Sequence, residues 1–436
     1  MKTILRITFF SLLFITFSCS KDETPTPEPI AQPDPEPTPE PVSENQPPLE
    51  FELVAVSNNA IAVELLPTFS WNATTDPDGD TVTYDLYVDE GETAEQLYAE
   101  NLTETSFEVT ERLGLLQDYT WRVVAKDKQG ATASSATRTF TTRTINFDVG
   151  AVTENAQFTG RRGHSSIVFD DKMWVVGGYD ENFDYQNDVW SSEDGITWTA
   201  ATTSAAFSGR TFASSVVFDN KLWIIGGYNG IERYNDVWFS SDGVTWTEAT
   251  GTAAFEERYN QTSLVFDNKM WVLGGQIDSN VRLNDVWFSE DGITWVEADV
   301  TSPFAIREAH TSVVFDNKMW VIAGFGQGDL NDIWSSEDGL VWTEATNEAA
   351  FSGRHGLTTV VFDDKLWVIG GTDRNFQRRN DVWFSKDGIT WKEASSEAPF
   401  TKRYYHSSVA FDDKVWVIGG DYDSGRGRDN DVWTFD

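Results

Sequence analysis

Short runs in which apolar and polar residues alternate fill the segment 49–143. Residues 81–88 and 119–125 form two such runs, and turn-forming residues separate them. Alternation with a period of two is typical of strands that bury one face. The segment therefore predicts an antiparallel β-sandwich of about 95 residues, a normal size for one such domain. Trp71 and Trp121 are expected in its core, and the domain is expected to act mainly as a spacer.

Residues 144–436 carry six copies of one pattern. The phrase Phe-Asp-Asp/Asn-Lys begins at positions 169, 218, 266, 315, 362 and 411, so the copies are 47 to 49 residues apart. Each copy continues with a Trp, a Gly-Gly or Ala-Gly pair, and Asn-Asp-Val/Ile-Trp; five copies add Asp-Gly-x-x-Trp. Four-stranded units at this period predict an all-β fold with a six-bladed β-propeller behind the sandwich.

The first copy shows how the four strands, a to d, are predicted. They are expected at 164–169, 172–176, 188–192 and 196–200, with a tight a–b turn at Asp170-Asp171 and a loop that opens at Gly177-Gly178. The sixth copy has no fourth strand, whereas residues 144–147 are similar to the fourth strands of the other copies. We therefore expect a strand at 145–149 to complete the sixth blade and to close the ring, which removes open sheet edges.

Composition narrows the possible functions. The chain has 32 Lys plus Arg and 70 Asp plus Glu, a formal net charge of −38. Such a chain repels polyanions, so nucleic acid is not expected as a partner. Cys19 is the only cysteine, which excludes a disulfide framework and any zinc site built from cysteines. No cofactor is expected, and the protein is expected to be a monomer.

The N-terminus predicts export and lipid attachment. Residues 1–18 have a basic start and a short apolar core, as in a signal peptide. Thr16-Phe17-Ser18-Cys19 resembles the lipobox of bacterial lipoproteins, and Ser20-Lys21-Asp22-Glu23 resembles a signal for the outer face of the outer membrane. Residues 19–48 are rich in Pro and Glu and predict an extended spacer. We expect a protein anchored through Cys19 and exposed on the cell surface.

Three further motifs carry family resemblances. Arg161-Arg162-Gly163-His164, with Gly177-Gly178 and Trp198, resembles the kelch and galactose-oxidase-like propellers. Residues 115–123 resemble the late strands of fibronectin type III domains. The hairpin at 192–198 resembles the Asp-box of sialidase-type propellers; we interpret it as a structural turn, with the Asp capping it and the Trp packing between blades.

Geometry selects the face on which a ligand is expected. The a–b and c–d turns lie on one face and are nearly identical in every copy, whereas the b–c and d–a connections lie on the other and differ. Function in repeat proteins belongs where copies diverge. The candidate ligand-binding residues, which could equally serve loop packing, are Tyr179, Tyr185, Tyr228, Arg233, Tyr234, Phe325, Arg374, Phe376, Tyr422 and Arg426.

A recurring Phe-x-x-Arg in the d–a connection leaves two interpretations open. Its arginines could form an anion site at the channel mouth, or each could form a structural pair with the Asp that precedes Val/Ile-Trp in its blade. The arginines are Arg161, Arg210, Arg258, Arg307, Arg354 and Arg403. The aspartates are Asp188, Asp236, Asp285, Asp332, Asp381 and Asp431.

The expected function is non-catalytic binding of a glycan or an extracellular protein. Galactose oxidases need a copper site with a Cys–Tyr crosslink, and the only cysteine here is Cys19 in the signal segment. The Phe-Arg-Ile-Pro motif of sialidases does not occur in the sequence. The four histidines are scattered among the copies, so they predict no metal site. Asp76, Asp78 and Asp80 form a weak calcium candidate or a solvated turn. The alternative is a kelch-type enzyme acting on an anionic sugar, similar to propellers that epimerise sialic acid, with Glu232 or Glu308 beside an Arg.

Overall fold

The computed structural model describes residues 44–147, 150–301, 303–422 and 427–436. The signal peptide, Cys19, most of the spacer and Arg426 lie outside these ranges. All regular secondary structure within them is β-strand. No helix in the described ranges is long and apolar enough to cross a membrane.

Two sheets form the N-terminal domain. Its strands are Leu53–Ala55 (β1), Ala60–Val63 (β2), Thr68–Trp71 (β3), Thr83–Glu90 (β4), Leu97–Leu102 (β5), Ser106–Glu108 (β6), Asp118–Lys126 (β7), Thr132–Ser134 (β8) and Arg138–Thr142 (β9). One sheet has the order β1-β3-β6; the other has the order β2-β9-β7-β4-β5, with β8 beside β7. A shared hydrophobic core separates the sheets, and Trp71 and Trp121 are both buried in it.

The propeller follows as six units, or blades, numbered along the chain. Blades 1 to 5 have the four strands a to d, blade 6 has strands a to c, and blades 1, 5 and 6 begin with a further two-residue strand. Blade 1 contains Arg161–Arg162 (β10), Ser165–Phe169 (β11), Lys172–Asp180 (β12), Tyr185–Ser192 (β13) and Thr199–Thr202 (β14). Blade 2 contains Ser214–Phe218 (β15), Lys221–Tyr228 (β16), Arg233–Ser240 (β17) and Thr247–Thr250 (β18). Blade 3 contains Thr262–Phe266 (β19), Lys269–Asp278 (β20), Val281–Ser289 (β21) and Val296–Glu297 (β22).

The second half of the ring repeats this plan. Blade 4 contains Thr311–Phe315 (β23), Lys318–Phe325 (β24), Asp329–Ser336 (β25) and Thr343–Thr346 (β26). Blade 5 contains Arg354–His355 (β27), Thr358–Phe362 (β28), Lys365–Asp373 (β29), Arg378–Ser385 (β30) and Trp391–Ser395 (β31). Blade 6 contains Arg403–Tyr404 (β32), Ser407–Phe411 (β33), Lys414–Tyr422 (β34) and Arg428–Phe435 (β35).

The ring closes between its two ends. The innermost strands β11, β15, β19, β23, β28 and β33 contact one another in a cycle that returns from β33 to β11. The segment before blade 1 pairs with β35 through two isolated bridges, Phe147 with Phe435 and Thr153 with Val432. The sequence predicted a continuous strand at 145–149; residues 145–147 form a single bridge instead, and residues 148 and 149 lie outside the described ranges.

The turns explain why Asp, Asn and Gly recur at fixed positions. Both residues of every a–b turn have positive φ, as at Asp170 (50°) and Asp171 (53°), which confirms the predicted tight turn. The prediction that a loop opens at Gly177-Gly178 is wrong, because β12 continues to Asp180. The glycines instead form a bulge, with φ of 61° and 107°, which only a residue without a side chain adopts readily.

The Asp-Gly turns between strands c and d pack one blade against the next. A Cβ atom on Gly243 of blade 2 would lie 2.0 Å from the ring of Trp174 in blade 1, so only glycine fits there. The same contact recurs for five pairs: Gly195–Trp416, Gly243–Trp174, Gly292–Trp223, Gly339–Trp271 and Gly388–Trp320. In these five pairs, the turn of one blade therefore covers the strand-b tryptophan of its neighbour, a contact that the sequence interpretation, which concerned the tryptophan of the hairpin itself, did not include.

Trp367 of blade 5 is the one such tryptophan without a glycine turn above it, because blade 6 has no Asp-Gly turn within the 436 residues. Leu65 and Leu115 from the sandwich, together with Ile145, join the core around Trp367, which is fully buried. The sandwich was expected to be a spacer; it also completes the hydrophobic core of the propeller. It contacts the propeller at Asp363 in an a–b turn, on the face of tight turns.

Candidate functional site

The six repeat arginines form one ion pair within each blade. Each guanidinium binds both oxygens of its aspartate at 2.6–2.9 Å and donates to a carbonyl of the Gly-Gly or Ala-Gly pair. The pairs are Arg161–Asp188, Arg210–Asp236, Arg258–Asp285, Arg307–Asp332, Arg354–Asp381 and Arg403–Asp431. The arginines are at most 1% exposed. They tie each d–a connection to strand c and present no guanidinium to an anion.

A ring of backbone hydrogen bonds surrounds the propeller axis two residues after each arginine. The N–H of one residue donates to the carbonyl of its counterpart in the preceding blade at 2.7–3.1 Å, and the ring closes on itself. Its members are Gly163, Phe212, Asn260, Ala309, Gly356 and Tyr405. All six have a left-handed backbone, with φ between 49° and 61°. The ring therefore fixes the centre of the face that carries the b–c and d–a connections.

Only two members of this axial ring are glycine. A left-handed conformation is uncommon for bulky residues such as Phe212 (57°) and Tyr405 (51°), and such residues cluster at functional sites. The rings of Phe212 and Tyr405 meet with their centroids 4.6 Å apart. The backbone is thus six-fold symmetric at the axis, while its side chains are not.

From this pair, aromatic side chains continue in both directions as one series, which we name the aromatic track. Each ring lies 4.6–6.3 Å from the next, centroid to centroid. In order, the track consists of Tyr179, Tyr185, Tyr228, Tyr259, Phe212, Tyr405, His355 and Phe325. Every blade contributes at least one ring, and all eight are half-buried. Half-buried rings are held in place by packing while part of each ring stays accessible to a ligand.

Arginines flank the aromatic track. Arg428 stacks on Tyr179 with its Cζ 4.4 Å from the ring centroid, and Arg162 approaches the same ring at 5.7 Å. Arg282 lies 4.5 Å from the centroid of Phe325 at the other end. Cations over aromatic faces gain electrostatic energy from the ring quadrupole. The track therefore ends in guanidinium groups on both sides of the face.

A pocket of about 380 Å³ lies at the Phe325 end, lined by residues from blades 3 to 6. In its wall, Glu308 accepts hydrogen bonds from Arg282 Nε at 2.8 Å and from Asn260 Nδ2 at 3.0 Å. Asp329 is hydrogen-bonded to Nδ1 of His355, which fixes the orientation of the imidazole. The pocket can hold one sugar ring or one amino-acid side chain, and it contains groups able to transfer a proton.

The structure separates the predicted ligand-binding residues into groups. Tyr179, Tyr185, Tyr228 and Phe325 belong to the aromatic track, and Arg374 and Phe376 line the pocket. Arg233 lies beside Tyr228 and pairs with Asp278. Tyr234 instead covers Arg210 at 4.3 Å and packs within blade 2. Tyr422 ends β34 outside the track, and Arg426 lies outside the described residues.

Sequence reasoning missed four members of the track: Phe212, Tyr259, His355 and Tyr405. They lie in the d–a connections, whereas the aromatic candidates came from the b–c loops. A signal was present, because the two positions after each repeat arginine differ in every copy. These pairs are Arg162-Gly163, Thr211-Phe212, Tyr259-Asn260, Glu308-Ala309, His355-Gly356 and Tyr404-Tyr405. Of the two suggested acids, Glu308 lies in the pocket beside an Arg, and Glu232 is exposed on a loop.

Three of the four histidines are buried and link neighbouring blades. His164, His310 and His406 are buried, and each bonds through Nε2 to a hydroxyl of the preceding blade at 2.7–3.0 Å. Burial lowers the pKa of His164 and of His310 to about 3, and that of His406 well below its usual 6.5. They are therefore neutral and join blades together.

The predicted calcium motif forms a capped turn. Oδ1 of Asp76 accepts the backbone N–H of Asp78 at 2.9 Å and that of Asp80 at 3.4 Å. Among the residues that the structure describes, no group of three or more His, Cys, Asp or Glu side chains could hold a metal ion. The Asp76 carboxylate is buried and stabilises the turn by accepting these two backbone N–H groups.

Comparison with known families identifies the repeat. The family described as "KLHDC2/KLHL20/DRC7 Kelch-repeats domain" matches residues 125–290 and 239–384, and the family described as "Kelch motif" matches residues 402–436. The first family alone covers residues 125–384, which is 260 of the 436 residues. Comparison with curated proteins found no match. With this family match over more than half of its length and six blades closed into a ring, the chain belongs to the kelch-repeat family.

Proposed function

We propose that this protein is a monomeric cell-surface lipoprotein whose propeller binds a glycan or an extracellular protein without catalysing a reaction. The observation that supports this most is the aromatic track, which assembles rings from all six blades on the face where the copies diverge. Tight turns occupy the opposite face, and the sandwich attaches there at Asp363. The variable face is therefore left uncovered by the described residues.

Half-buried aromatic rings suit both proposed ligand classes. They offer a large apolar area at little cost in conformational entropy, and Tyr adds a hydroxyl for hydrogen bonding. The neighbouring guanidinium groups add planar hydrogen-bond donors. A track of eight rings is longer than one sugar or one side chain needs, so an extended ligand is favoured over a small metabolite.

Substitution within the track tests the binding function. Tyr228→Ala and Tyr405→Ala in the full chain should each weaken binding in a glycan-array and pull-down screen by about tenfold or more, because each removes a contact ring. Tyr98→Ala, which removes a half-buried ring from the sandwich, is the matched control. A ligand whose affinity is equal in the parent chain and in both track variants would contradict this site.

The surface location has its own test. The signal-like segment, Cys19 and the Pro/Glu-rich spacer support a lipid anchor with a long reach. Cys19→Ala should move the protein from the membrane fraction to the soluble fraction. Protease added to intact cells should digest the parent chain, and complete protection would place it inside the outer membrane.

One observation favours catalysis as a second candidate function. His355, oriented by Asp329, shares the pocket with Glu308, and a base and an acid in one pocket are what an enzyme acting on an anionic sugar needs. His355→Gln and Glu308→Gln, assayed on acidic sugars with binding measured in parallel, separate the two functions. If the parent chain turns over an acidic sugar, and either substitution abolishes this turnover while binding is unchanged, the enzyme would be the correct function and the non-catalytic binding module would be wrong.

A further inference from the structure

Resting on the binding function proposed above, we infer that the ligand is a polypeptide segment that combines large apolar side chains with an excess of lysine and arginine. The inference starts from the b–c connections of blades 1, 2 and 5. Each of them exposes one large apolar side chain on the face that carries the aromatic track. These side chains, which we name the apolar tips, are Phe183, Ile231 and Phe376.

The apolar tips are unusually exposed. Phe183 is 65% exposed, Ile231 is 87% exposed and Phe376 is 82% exposed. They are three of the four most exposed large apolar side chains among the residues that the structure describes. A single exposed apolar side chain is normal on a protein surface, whereas several on one face indicate a surface that another molecule covers. The tips share their face with the eight half-buried rings of the aromatic track, so this face fits that description.

Side-chain hydrogen bonds hold the turns that carry the tips. Oδ1 of Asp180 accepts the backbone N–H groups of residues 182 and 184, and Oδ1 of Asp373 accepts those of residues 375 and 377, all at 2.9–3.0 Å. Asn229 accepts the N–H groups of residues 231 and 232 in the same way, at 3.0 and 2.7 Å. Phe183 (69°) and Phe376 (57°) have a left-handed backbone, which is uncommon for bulky residues. Turns fixed in this way present the tips to a partner at a low cost in conformational entropy.

The tips suit a protein partner better than a sugar. A sugar ring packs against a flat aromatic face, and the aliphatic side chain of Ile231 offers no such face. Protein interfaces, in contrast, bury projecting apolar side chains in well-packed pockets of the partner. The pocket of about 380 Å³ beside Phe376 provides the converse contact, because it can receive one large side chain of the ligand. Apolar side chains of a polypeptide therefore meet both projecting tips and a receiving pocket.

Charge on the variable face favours a basic partner. With the six buried ion pairs set aside, the connections at 179–187, 203–213, 228–235, 251–261 and 276–284 contain seven acidic and two basic residues. The acidic residues are Asp180, Glu181, Asp184, Glu232, Glu256, Glu257 and Asp278. The basic residues, Arg233 and Arg282, are already paired with carboxylates. The connections of blades 1 to 3 therefore carry a clear excess of negative charge.

Unpaired carboxylates stand directly beside two of the tips. Glu181 and Asp184 lie on either side of Phe183 in the b–c turn of blade 1. Glu232 follows Ile231 in the b–c turn of blade 2. All three acids are exposed, and none has an ion-pair partner within the described residues. In a chain of net charge −38, such groups repel anions and attract lysine and arginine side chains, which also speeds association.

The test measures binding of the full chain to three immobilised peptides of equal length, in which Lys alternates with Leu, Lys with Ser, or Glu with Leu. We expect the Lys–Leu peptide to bind most tightly, the Lys–Ser peptide more weakly and the Glu–Leu peptide not at all, and added salt should weaken the binding. Phe183→Ser, Ile231→Ser and Phe376→Ser should each lower the affinity for the Lys–Leu peptide about tenfold. Glu181→Gln should lower it less and should reduce its dependence on salt.

Two matched controls lie in c–d turns on the opposite face. Ile293→Ser removes an aliphatic side chain that is 56% exposed, and Glu193→Gln removes an exposed carboxylate. Both variants should bind the Lys–Leu peptide as the parent does. An equal loss of affinity in the control variants and in the tip variants would mean that general exposure and net charge govern binding, and would overturn the inference. The absence of any preference for the Lys–Leu peptide would overturn it as well.

Other ligand classes give distinguishable results. Binding of glycans on the array and of no peptide would overturn the inference, and loss of that binding in Tyr228→Ala would leave the proposed binding function standing. Binding of phosphatidylcholine vesicles that Phe183→Ser and Ile231→Ser abolish, with neither peptide nor glycan bound, would overturn both the inference and the proposed function. If Tyr228→Ala binds every ligand as well as the parent does, the proposed function fails too.

Discussion

The backbone N–H of Leu115 in the sandwich donates a 2.6 Å hydrogen bond to Oδ2 of Asp363 in blade 5. The Leu115 side chain is fully buried in the same core as Trp367. In the other five blades, a glycine turn from the next blade covers the equivalent tryptophan. The sandwich and the propeller therefore share one core, and side chains of the sandwich pack around Trp367.

Removing the Leu115 side chain should destabilise the whole protein. Leu115→Ala leaves a cavity against the propeller, and such changes cost about 2–5 kcal/mol of unfolding free energy. Thermal unfolding of the full chain, followed by tryptophan fluorescence, measures the loss. Leu97→Ala, at an exposed position of the same sandwich, should unfold like the parent. Equal midpoints for the Leu115 variant and the parent would show that packing of Leu115 into the core it shares with Trp367 adds no stability.

Breaking one ion pair between a repeat arginine and its aspartate should lower the unfolding free energy by about as much as Leu115→Ala does. Arg210→Gln leaves the half-buried carboxylate of Asp236 without its cation, although Trp238 still donates to it at 2.8 Å. Loss of one partner of a buried pair costs about 3–5 kcal/mol. Denaturant titration compares this variant with Lys172→Gln, which removes an exposed partner of Glu193 and should cost at most about 1 kcal/mol. Similar losses in both variants would contradict a structural role for the buried arginines.

Closure of the ring depends on the segment before blade 1. Phe147 pairs with Phe435, and its ring lies 5.4 Å from that of Phe435 and 6.3 Å from that of Phe400. Deletion of residues 144–160 should abolish stable folding of the propeller, because strands of blade 6 lose their partner. Phe147→Ala is the milder variant and should lower the melting temperature. A deletion variant that melts with the parent would show that the ring does not need this segment.

Much of the fold follows from the sequence because the repeat phrases are structural. The Asp and Asn residues of the a–b turns, the Asp-Gly turns and their tryptophans each satisfy a local geometric need, so one copy explains the others. The paired numbers of Arg and Asp likewise made the ion pair one of two stated interpretations. The predicted end of strand b before Gly177-Gly178 was wrong, because a glycine bulge inside a long strand has the same sequence signature as a loop.

Only half of the aromatic track could be predicted from the sequence, for a different reason. Tyr179 and Tyr185 lie at the ends of β12 and β13, on either side of one b–c turn, so the sequence of a single copy marks them as candidates. Phe212 and Tyr405 are brought together by ring closure, across 193 residues of sequence, and no local pattern encodes that contact. The covering of Trp367 by the sandwich depends in the same way on where two domains meet. Contacts of this kind follow from the assembled ring, not from any single repeat.

The three buried histidines predict that stability falls as the solution becomes mildly acidic. Their pKa values in the folded protein lie far below the ordinary value of 6.5. In the unfolded chain the same histidines take up protons near pH 6.5, so the unfolded state binds more protons below that pH and is favoured. The stabilising effect is complete above about pH 7 and is lost progressively towards about pH 3.

Blade 3 supplies the control for this prediction, because Gln261 stands at the position equivalent to these histidines. Its Nε2 donates to the carbonyl of Ile225 at 2.9 Å and lies 3.4 Å from the hydroxyl of Ser214 in the preceding blade. His310→Gln should therefore keep the bond between blades while it removes one titrating group. Between about pH 7.5 and pH 5, the melting temperature of this variant should fall less than that of the parent, because two buried histidines titrate on unfolding instead of three. An unchanged pH dependence would mean that His310 is not a buried neutral group in the folded protein.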